Sequence, residues 1–524
     1  MDLRARAGRA FEDALVHTVP FDELEPLTAA LREAHEHLDE PMRVAIVGHI
    51  KAGKSTMLNA LLGEEAAPMG KEELTFNVSW LRFGKEPGLR VVFKNGRAPE
   101  ERGLEELYDL TARADERAEL LRSVRYLEIR KPIQILKTFD LVDTPGLRSF
   151  YEQDSLNTMR SLGLADDHID DETRRESALA DALLCLFSRS IAAADQAVVA
   201  DFQGPLLGQA TPVNAIGVLT KVDTYWDPAE PERDPLDEGR RVARIIESEP
   251  GADRVFFAVL PVCGLLGLGA QTLTAEHGGW IESLARLDPA LLAKRLRYAD
   301  RFASASYEDL PLPPPSRSTL LGLLGQFGIW SAARIVREGA GDVETLRERL
   351  LELSGIERLR ETLVAHFGRR ALLIKAQTGT RKARTQAQDV RRRVDADAAG
   401  AAFDAMGSLE ALETGEPALE EFALLRRYYQ DSASLGLEDG EAAHLLEVTG
   451  ERGPELGPRL GLTVAATPSE LVAAAEARCA YWHARGDEFG VDPRTKATAA
   501  KIERAYRRLL YHAREARRHL ELVE

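Results

Sequence analysis

Residues 43–63 limit the fold more than any other stretch. Arg-Val-Ala-Ile-Val runs into Gly48-His-Ile-Lys-Ala-Gly53-Lys54-Ser55-Thr56 and on into Met-Leu-Asn-Ala-Leu-Leu-Gly. A β-branched run, a glycine-flanked loop and an amphipathic segment read as strand, loop and helix, the setting in which G-x-x-x-x-G-K-[ST] wraps a phosphate chain. The loop N–H groups, Ala52 included, and the first turn of the helix through Thr56 face phosphate oxygens. Lys54 bridges β- and γ-phosphates, and the Ser55 hydroxyl ligates Mg²⁺. Gly48 and Gly53 are expected to leave room for that approach. The competing reading, a tight glycine turn before a helix, is decided downstream.

Two further motifs end apolar strands. Asp143-Thr-Pro-Gly146 matches the D-x-x-G element of GTPases, in which the Asp meets Mg²⁺ through water and the Gly N–H senses the γ-phosphate. Thr220-Lys221-Val222-Asp223 matches [NT]-K-x-D. A carboxylate at position 223 accepts from both the ring N–H and the exocyclic amine of guanine, a pair that adenine lacks, while the Lys221 stem lies over the purine face. Each tetrapeptide is weak alone; three motifs in order at strand ends are strong. The guanine O6 contact is expected from loop backbone at Val262-Cys263-Gly264. Between the first two motifs, Thr75 is the best candidate for a switch threonine that ligates Mg²⁺ and orients the attacking water, with a structural threonine opening a strand as the alternative.

Length and charge narrow the rest. A chain of 524 residues and 57.8 kDa has room for two or three cores. A net charge of −17 speaks against a general nucleic-acid binder. Cys185, Cys263 and Cys479 are far apart, without the spacing of a zinc site, and fit a reducing compartment. The charged N-terminal residues lack the apolar core of a signal peptide, so the expectation is a cytoplasmic protein.

Residues 1–41 read as helix broken near Pro20, with a stripe of Leu24, Leu27, Leu31, Ala34 and Leu38 that needs a helical partner. From residue 43 the pattern is α/β, with strands expected at 44–47, 77–83, 89–93, 126–129, 139–142, 182–187, 215–219 and 255–260, and an antiparallel pair within 77–93. Residues 166–176 form an acidic insert. The uncharged run 255–275 is long enough for a membrane span, but Pro261 and three glycines interrupt it, and its first half reads as a buried strand. Leu310-Pro-Leu-Pro-Pro-Pro315 reads as a stiff spacer, and 319–333 as a buried helix rather than a membrane-touching one. Beyond residue 370 the pattern is helical. The last helix carries a seam of Ile502, Tyr506, Leu509, Ala513, Ala516, Leu520 and Val523. Its other face holds Arg504, Arg507, Arg508, Arg514, Arg517 and Arg518, which either pair with acids of the N-terminal helix, stay solvated, or meet an anionic membrane surface.

Together these residues resemble the dynamin superfamily of large GTPases, and within it bacterial dynamin-like proteins of the actinobacterial type. The likeness rests on residues 48–63, the Thr75 segment ending in Val-Ser-Trp, the motifs at 143–146 and 220–223, and Ser354-Gly-Ile-Glu-Arg-Leu-Arg-Glu-Thr-Leu, which is similar to the stretch closing the family's GTPase domain. It implies an α/β P-loop GTPase domain, mostly parallel sheet with flanking helices, at 42–370. The N-terminal helix, 1–41, would join the C-terminal region, 371–524, in an α-helical bundle. It also implies GTP as substrate, Mg²⁺ as cofactor, GTP-dependent self-association or pairing with a sister protein, and membrane remodelling at the inner face of the cell membrane. Three departures stand out. No glutamine follows the Asp143 motif. Lys51 occupies a position where dynamins usually carry serine, and either supplies a cation to the phosphates in cis or points to solvent. No concentrated apolar tip loop marks a membrane paddle. The alternative function is a nucleotide-gated scaffold with negligible turnover.

Overall fold

The computed structural model describes residues 2–48, 52–66, 77–94, 97–111, 118–143, 180–188, 210–249, 251–438 and 440–521. Contacts divide the chain into two compact units, Pro41–Arg369 and a helical unit of Met1–Glu40 with Arg370–Glu524.

The first unit is built on a mixed sheet whose nine described strands are β1 (Met42–Gly48), β2 (Ser79–Phe83), β3 (Gly88–Phe93), β4 (Glu100–Arg102), β5 (Val124–Lys131), β6 (Phe139–Asp143), β7 (Ala182–Ser188), β8 (Ala215–Thr220) and β9 (Val259–Pro261). Their order is β4-β3-β5-β2-β6-β1-β7-β8-β9. β1 lies between β6 and β7 and is parallel to both; β8 and β9 continue the parallel set. Every residue of β1, β6 and β8 is buried, which is why they read as unbroken apolar runs rather than alternating ones.

Two expectations about the sheet need correction. β2 and β3 do not pair: β5 enters between them, parallel to β2 and antiparallel to β3. The four-residue link 84–87 suffices, because stepping over one strand spans about 10 Å. The strand expected at 255–260 reduces to β9. The backbone of Val255 and Phe256 closes turns onto Ala252, and Phe257 stacks its half-exposed ring on His366 with 3.7 Å between centroids. An apolar run is not a strand when its first residues finish a turn.

Helices after β9 form their own apolar layer, with Leu266, Leu292, Phe302, Leu324, Ile329, Trp330 and Leu350 in its core. The proline run is not a spacer. Leu310 and Leu312 are buried, Pro313 caps a helix, and Pro314 and Pro315 open it, since proline's fixed φ and missing N–H suit a first helical turn. That helix, Pro314–Arg337, is by length and composition able to cross a membrane, and it packs in this layer with Leu320, Ile329, Ala332 and Ala333 buried.

In the helical unit, Leu3–Thr18 and Glu25–His37 share a core with residues of 376–419, among them Phe11, Leu27, Leu31, Ala383, Ala402 and Leu409. The seam of the last helix, Pro493–Glu521, faces helix Pro468–Asp487 and buries Ile502, Tyr506, Leu509 and Ala513. Four of its arginines pair with acids other than those of the N-terminal helix: Arg508 with Glu421 at 2.8 Å, Arg514 with Glu476 at 2.7 Å, Arg507 with Glu503 at 2.7 Å, and Arg504 with Glu420.

Candidate functional site

Because β1, β6, β7, β8 and β9 run in one direction, their carboxyl ends open on a single edge, where an α/β sheet binds ligands. Gly48 ends β1, Asp143 ends β6, Thr220 ends β8, and Cys263 follows β9. The three motifs, far apart along the chain, therefore meet. Lys51, Thr75 and Gly146 lie outside the described residues, as does the acidic insert.

The phosphate end is formed by helix Lys54–Leu62. Gly53 precedes it at φ 88°, a left-handed turn that brings the loop onto the helix axis. Lys54 is buried and folds back across the loop, its Nζ donating to Gly48 O at 3.2 Å. Ser55 and Thr56 stand half-buried in the first turn, where the helix leaves backbone N–H groups unused. Gly48 is required by the sheet itself. A Cβ there would sit 2.4 Å from Leu186 O, so it is the neighbouring strand β7 that excludes a side chain.

Asp143 is 2% exposed, and its Oδ1 has no hydrogen-bond partner among the described residues. Burial pushes its carboxyl up to about 6, opposed by the Lys54 ammonium. A buried carboxylate oxygen without a donor is costly unless a cation or ordered water comes to it. Among the described residues no group of three or more His, Cys, Asp or Glu side chains could hold a metal. The donor set here, one hydroxyl and one carboxylate beside a phosphate-facing loop, fits Mg²⁺, which keeps waters and takes phosphate oxygens.

At the opposite end of the cleft, Lys221 adopts φ 59° and ψ 32°, the one positive φ outside glycine among the described residues. Such strain gathers at functional sites. Its stem runs beside the loop: a Cβ on Gly53 would lie 4.0 Å from Lys221 Cε. Burial raises the Asp223 carboxyl, opposed by the Cys263 thiol that donates to it and by the Lys221 charge. Burial, and then the charge of Asp223, push the Cys263 thiol well up, so it stays a protonated donor.

Two motif residues have duties that spacing did not reveal. The Thr220 hydroxyl reaches Ala52 O at 2.7 Å and Phe187 O at 3.1 Å, tying β8 to the phosphate loop. The Cys263 N–H donates to Ser354 O at 2.8 Å, so within 262–264, where a backbone donor to guanine O6 is expected, this N–H is taken, and the thiol holds Asp223. Trp226 is buried against Trp330, its Nε1 donating to Pro231 O at 3.1 Å.

Other contributors went unread in sequence. Helix Pro314–Arg337 breaks at Gly325, with φ 68° and ψ 179°, and a Cβ there would stand 3.8 Å from Asp223 Oδ2. Arg360 caps the far end of the phosphate-loop helix, donating to Ala60 O at 2.9 Å and Leu61 O at 2.8 Å, and holds Gln271 Oε1 at 2.8 Å. The only sequence signal for Arg360 was its place in the stretch 354–363.

The profile of the Dynamin family matches residues 44–222. The isoniazid-induced protein IniC of Mycobacterium tuberculosis (strain ATCC 25618 / H37Rv) is 31% identical over 474 residues, spanning 89% of this chain and 90% of that protein. Dynamin-like protein 2 of Campylobacter jejuni subsp. jejuni (strain 81-176) is 36% identical over 132 residues, 25% of this chain and 21% of that protein. Among solved structures, an oligomerised bacterial dynamin pair, described as providing a mechanism for the long-range sensing and tethering of membranes, aligns with 98% of this chain and 76% of that chain, at 13% identity and a TM-score of 0.32.

Proposed function

The chain belongs to the bacterial dynamin superfamily, and on that premise we propose that it is a Mg²⁺-dependent GTPase whose cycle gates association through the GTPase unit, between two copies or with a sister dynamin-like protein. Through the helical unit that cycle acts on a membrane from its cytoplasmic side, in remodelling or maintenance. What supports the reading most is one sheet edge carrying two carboxylates of different task, Asp143 buried and Asp223 partly buried. Asp143 has an unpartnered oxygen beside Lys54, and Asp223 is held by a thiol at the other end of the cleft.

In this reading Gly48, Ala52, Gly53, Lys54, Ser55 and Thr56 wrap the phosphates, with Lys54 leaving Gly48 O for a phosphate oxygen. Lys221 lies along the purine and Asp223 accepts from its N–H pair. Ser55, Thr75 and, through water, Asp143 hold Mg²⁺, which when bound offsets charge on the β- and γ-phosphates. Thr75 and loop backbone orient water. Gly146 N–H senses the γ-phosphate, and Lys51 supplies a cation in cis.

The test is GTP and ATP turnover by the full chain over a range of protein concentrations, with and without lipid vesicles. Turnover per molecule that climbs steeply with concentration and strongly prefers GTP is the expected result. Flat, negligible turnover with tight GTP binding would leave a scaffold, and equal use of ATP would overturn the reading of Asp223.

A further inference from the structure

The helical unit holds a cavity of about 440 Å³ between helices Arg369–Val390, Ala396–Gly415, Pro417–Asp431 and Pro493–Glu521. That volume falls within the roughly 300–1,000 Å³ of small-ligand sites. Its walls are rich in charge, and the charges do not balance. Gln377, Arg381 and Arg384 follow one another at i, i+4 and i+7, and so line one face of their helix. Arg426 comes from a second helix and Lys501 from a third.

The two carboxylates of the wall are already taken. Glu413 pairs with Arg384 at 2.8 Å, and Glu420 with Arg504. Three cations remain. Arg426 donates at 2.9 Å to the neutral amide oxygen of Gln377. Arg381 and Lys501 have no ion pair among the described residues. Both guanidinium groups line the same cavity, and burial, then the charge of Arg381, push the Arg426 guanidinium down to about 10. Both stay charged at neutral pH. Half-buried like charges without a counter-ion oppose folding, and a chain of net charge −17 does not lack carboxylates that would quench them.

We propose that this cavity binds a phosphoryl-bearing anion, gripped by the planar forks of Arg381 and Arg426 with Lys501 at the rim. Phosphate is the anion whose several oxygens match two guanidinium forks and an ammonium, where a carboxylate offers two. A free phosphate or diphosphate and the headgroup of an anionic phospholipid share this chemistry. The site is built from residues of the helical unit alone and does not depend on how the nucleotide cleft is read.

The experiment uses the full chain saturated with GDP, so that the phosphate loop is occupied, at fixed free Mg²⁺. Inorganic pyrophosphate is titrated calorimetrically, and vesicles of phosphatidylcholine, alone or with phosphatidic acid, are floated with the protein. Pyrophosphate binding that weakens at least tenfold in Arg381→Gln/Arg426→Gln, and also in the exposed Lys501→Glu, supports the proposal. Flotation on phosphatidic acid that is lost in the same variants assigns the anion to a lipid, while pyrophosphate binding without flotation assigns it to a free phosphate. Thermal melting checks the fold, and the double variant should melt no lower than the parent because a repulsion has been removed. Absence of binding to both probes, or binding unchanged in both variants, overturns the proposal.

Discussion

Asp143→Asn isolates the energetics of the buried carboxylate that ends β6. Burial lifts this carboxyl from 3.8 to about 6, with Lys54 pulling the other way. The shift of about two units, at about 1.36 kcal/mol each, amounts to about 3 kcal/mol. The sign follows from which state ionises first. As pH rises from 4, the unfolded chain loses the Asp143 proton while the folded protein retains it, so stability present below about pH 4 is lost as pH climbs through about 6. Asparagine has no proton to lose. In metal-free buffer the variant should therefore gain about 3 kcal/mol on the parent between pH 4 and pH 7, read as a change of about 5 °C in the melting difference for the GTPase unit. Adding Mg²⁺ and GDP at pH 7 should stabilise the parent far more than the variant, because only the carboxylate serves the metal. The assay is thermal melting of the full chain, parent and variant, across that pH range with and without Mg²⁺–GDP. A parent-to-variant difference constant within about 0.5 kcal/mol over the interval, or one moving in the parent's favour without metal, would refute the reasoning. It would mean that Asp143 is held ionised by the protein itself.

The remaining predictions concern the contacts around the cleft. Asp223→Ala should lower discrimination of GTP over ATP by about 10²-fold or more, measured by competition against a fluorescent GDP, with melting little changed. Thr220→Val leaves Ala52 O without its 2.7 Å donor and should cost about 1–3 kcal/mol, seen in melting and as weaker GDP binding, with Thr220→Ser restoring both. Gly48→Ala places a methyl 2.4 Å from Leu186 O and should cost about 1–3 kcal/mol in denaturant unfolding, even with no nucleotide added. If that variant unfolds like the parent, the sheet does not impose the glycine.

How much of this was legible depended on whether the deciding contact was local. That Gly48, Asp143 and Thr220 share one sheet edge could be read because each ends an apolar strand, and strands of one direction bring their ends together. The proline run misled because proline marks both extended linkers and helix starts, and the choice depends on whether Leu310 and Leu312 find a core, which they do. The β2 and β3 register misled because a short link normally means a hairpin, and only the arrival of β5, well beyond β3 in the chain, shows that the space is taken. Of the alternatives for the basic face of the last helix, pairing with the N-terminal helix is replaced for the same reason: Glu420, Glu421 and Glu476 are brought to it by folding, not by sequence neighbourhood. That the Cys263 N–H goes to Ser354 O was not legible, because nothing near it in sequence reveals that contact.

The long-range contacts missed in sequence share a logic. Ser354 O fixes Cys263, whose thiol holds Asp223 at the base end, and Arg360, six residues on, grips Ala60 and Leu61 at the far end of the helix that starts with Lys54. One short stretch thus braces both Cys263, beside Asp223, and the far end of the helix that opens at the phosphate loop. Thr220 closes the loop by joining the base motif to Ala52. A nucleotide that moved the phosphate loop would pull on Thr220 and Arg360 together, because neither partner can shift without losing a buried or half-buried hydrogen bond that each would have to replace. The cleft is therefore better described as one hydrogen-bonded frame than as three motifs that happen to meet. The stretch 354–363 belongs to that frame, since Ser354 O holds Cys263 and Arg360 holds the Lys54 helix, alongside Gln271, which donates to Ala60 O at 3.0 Å.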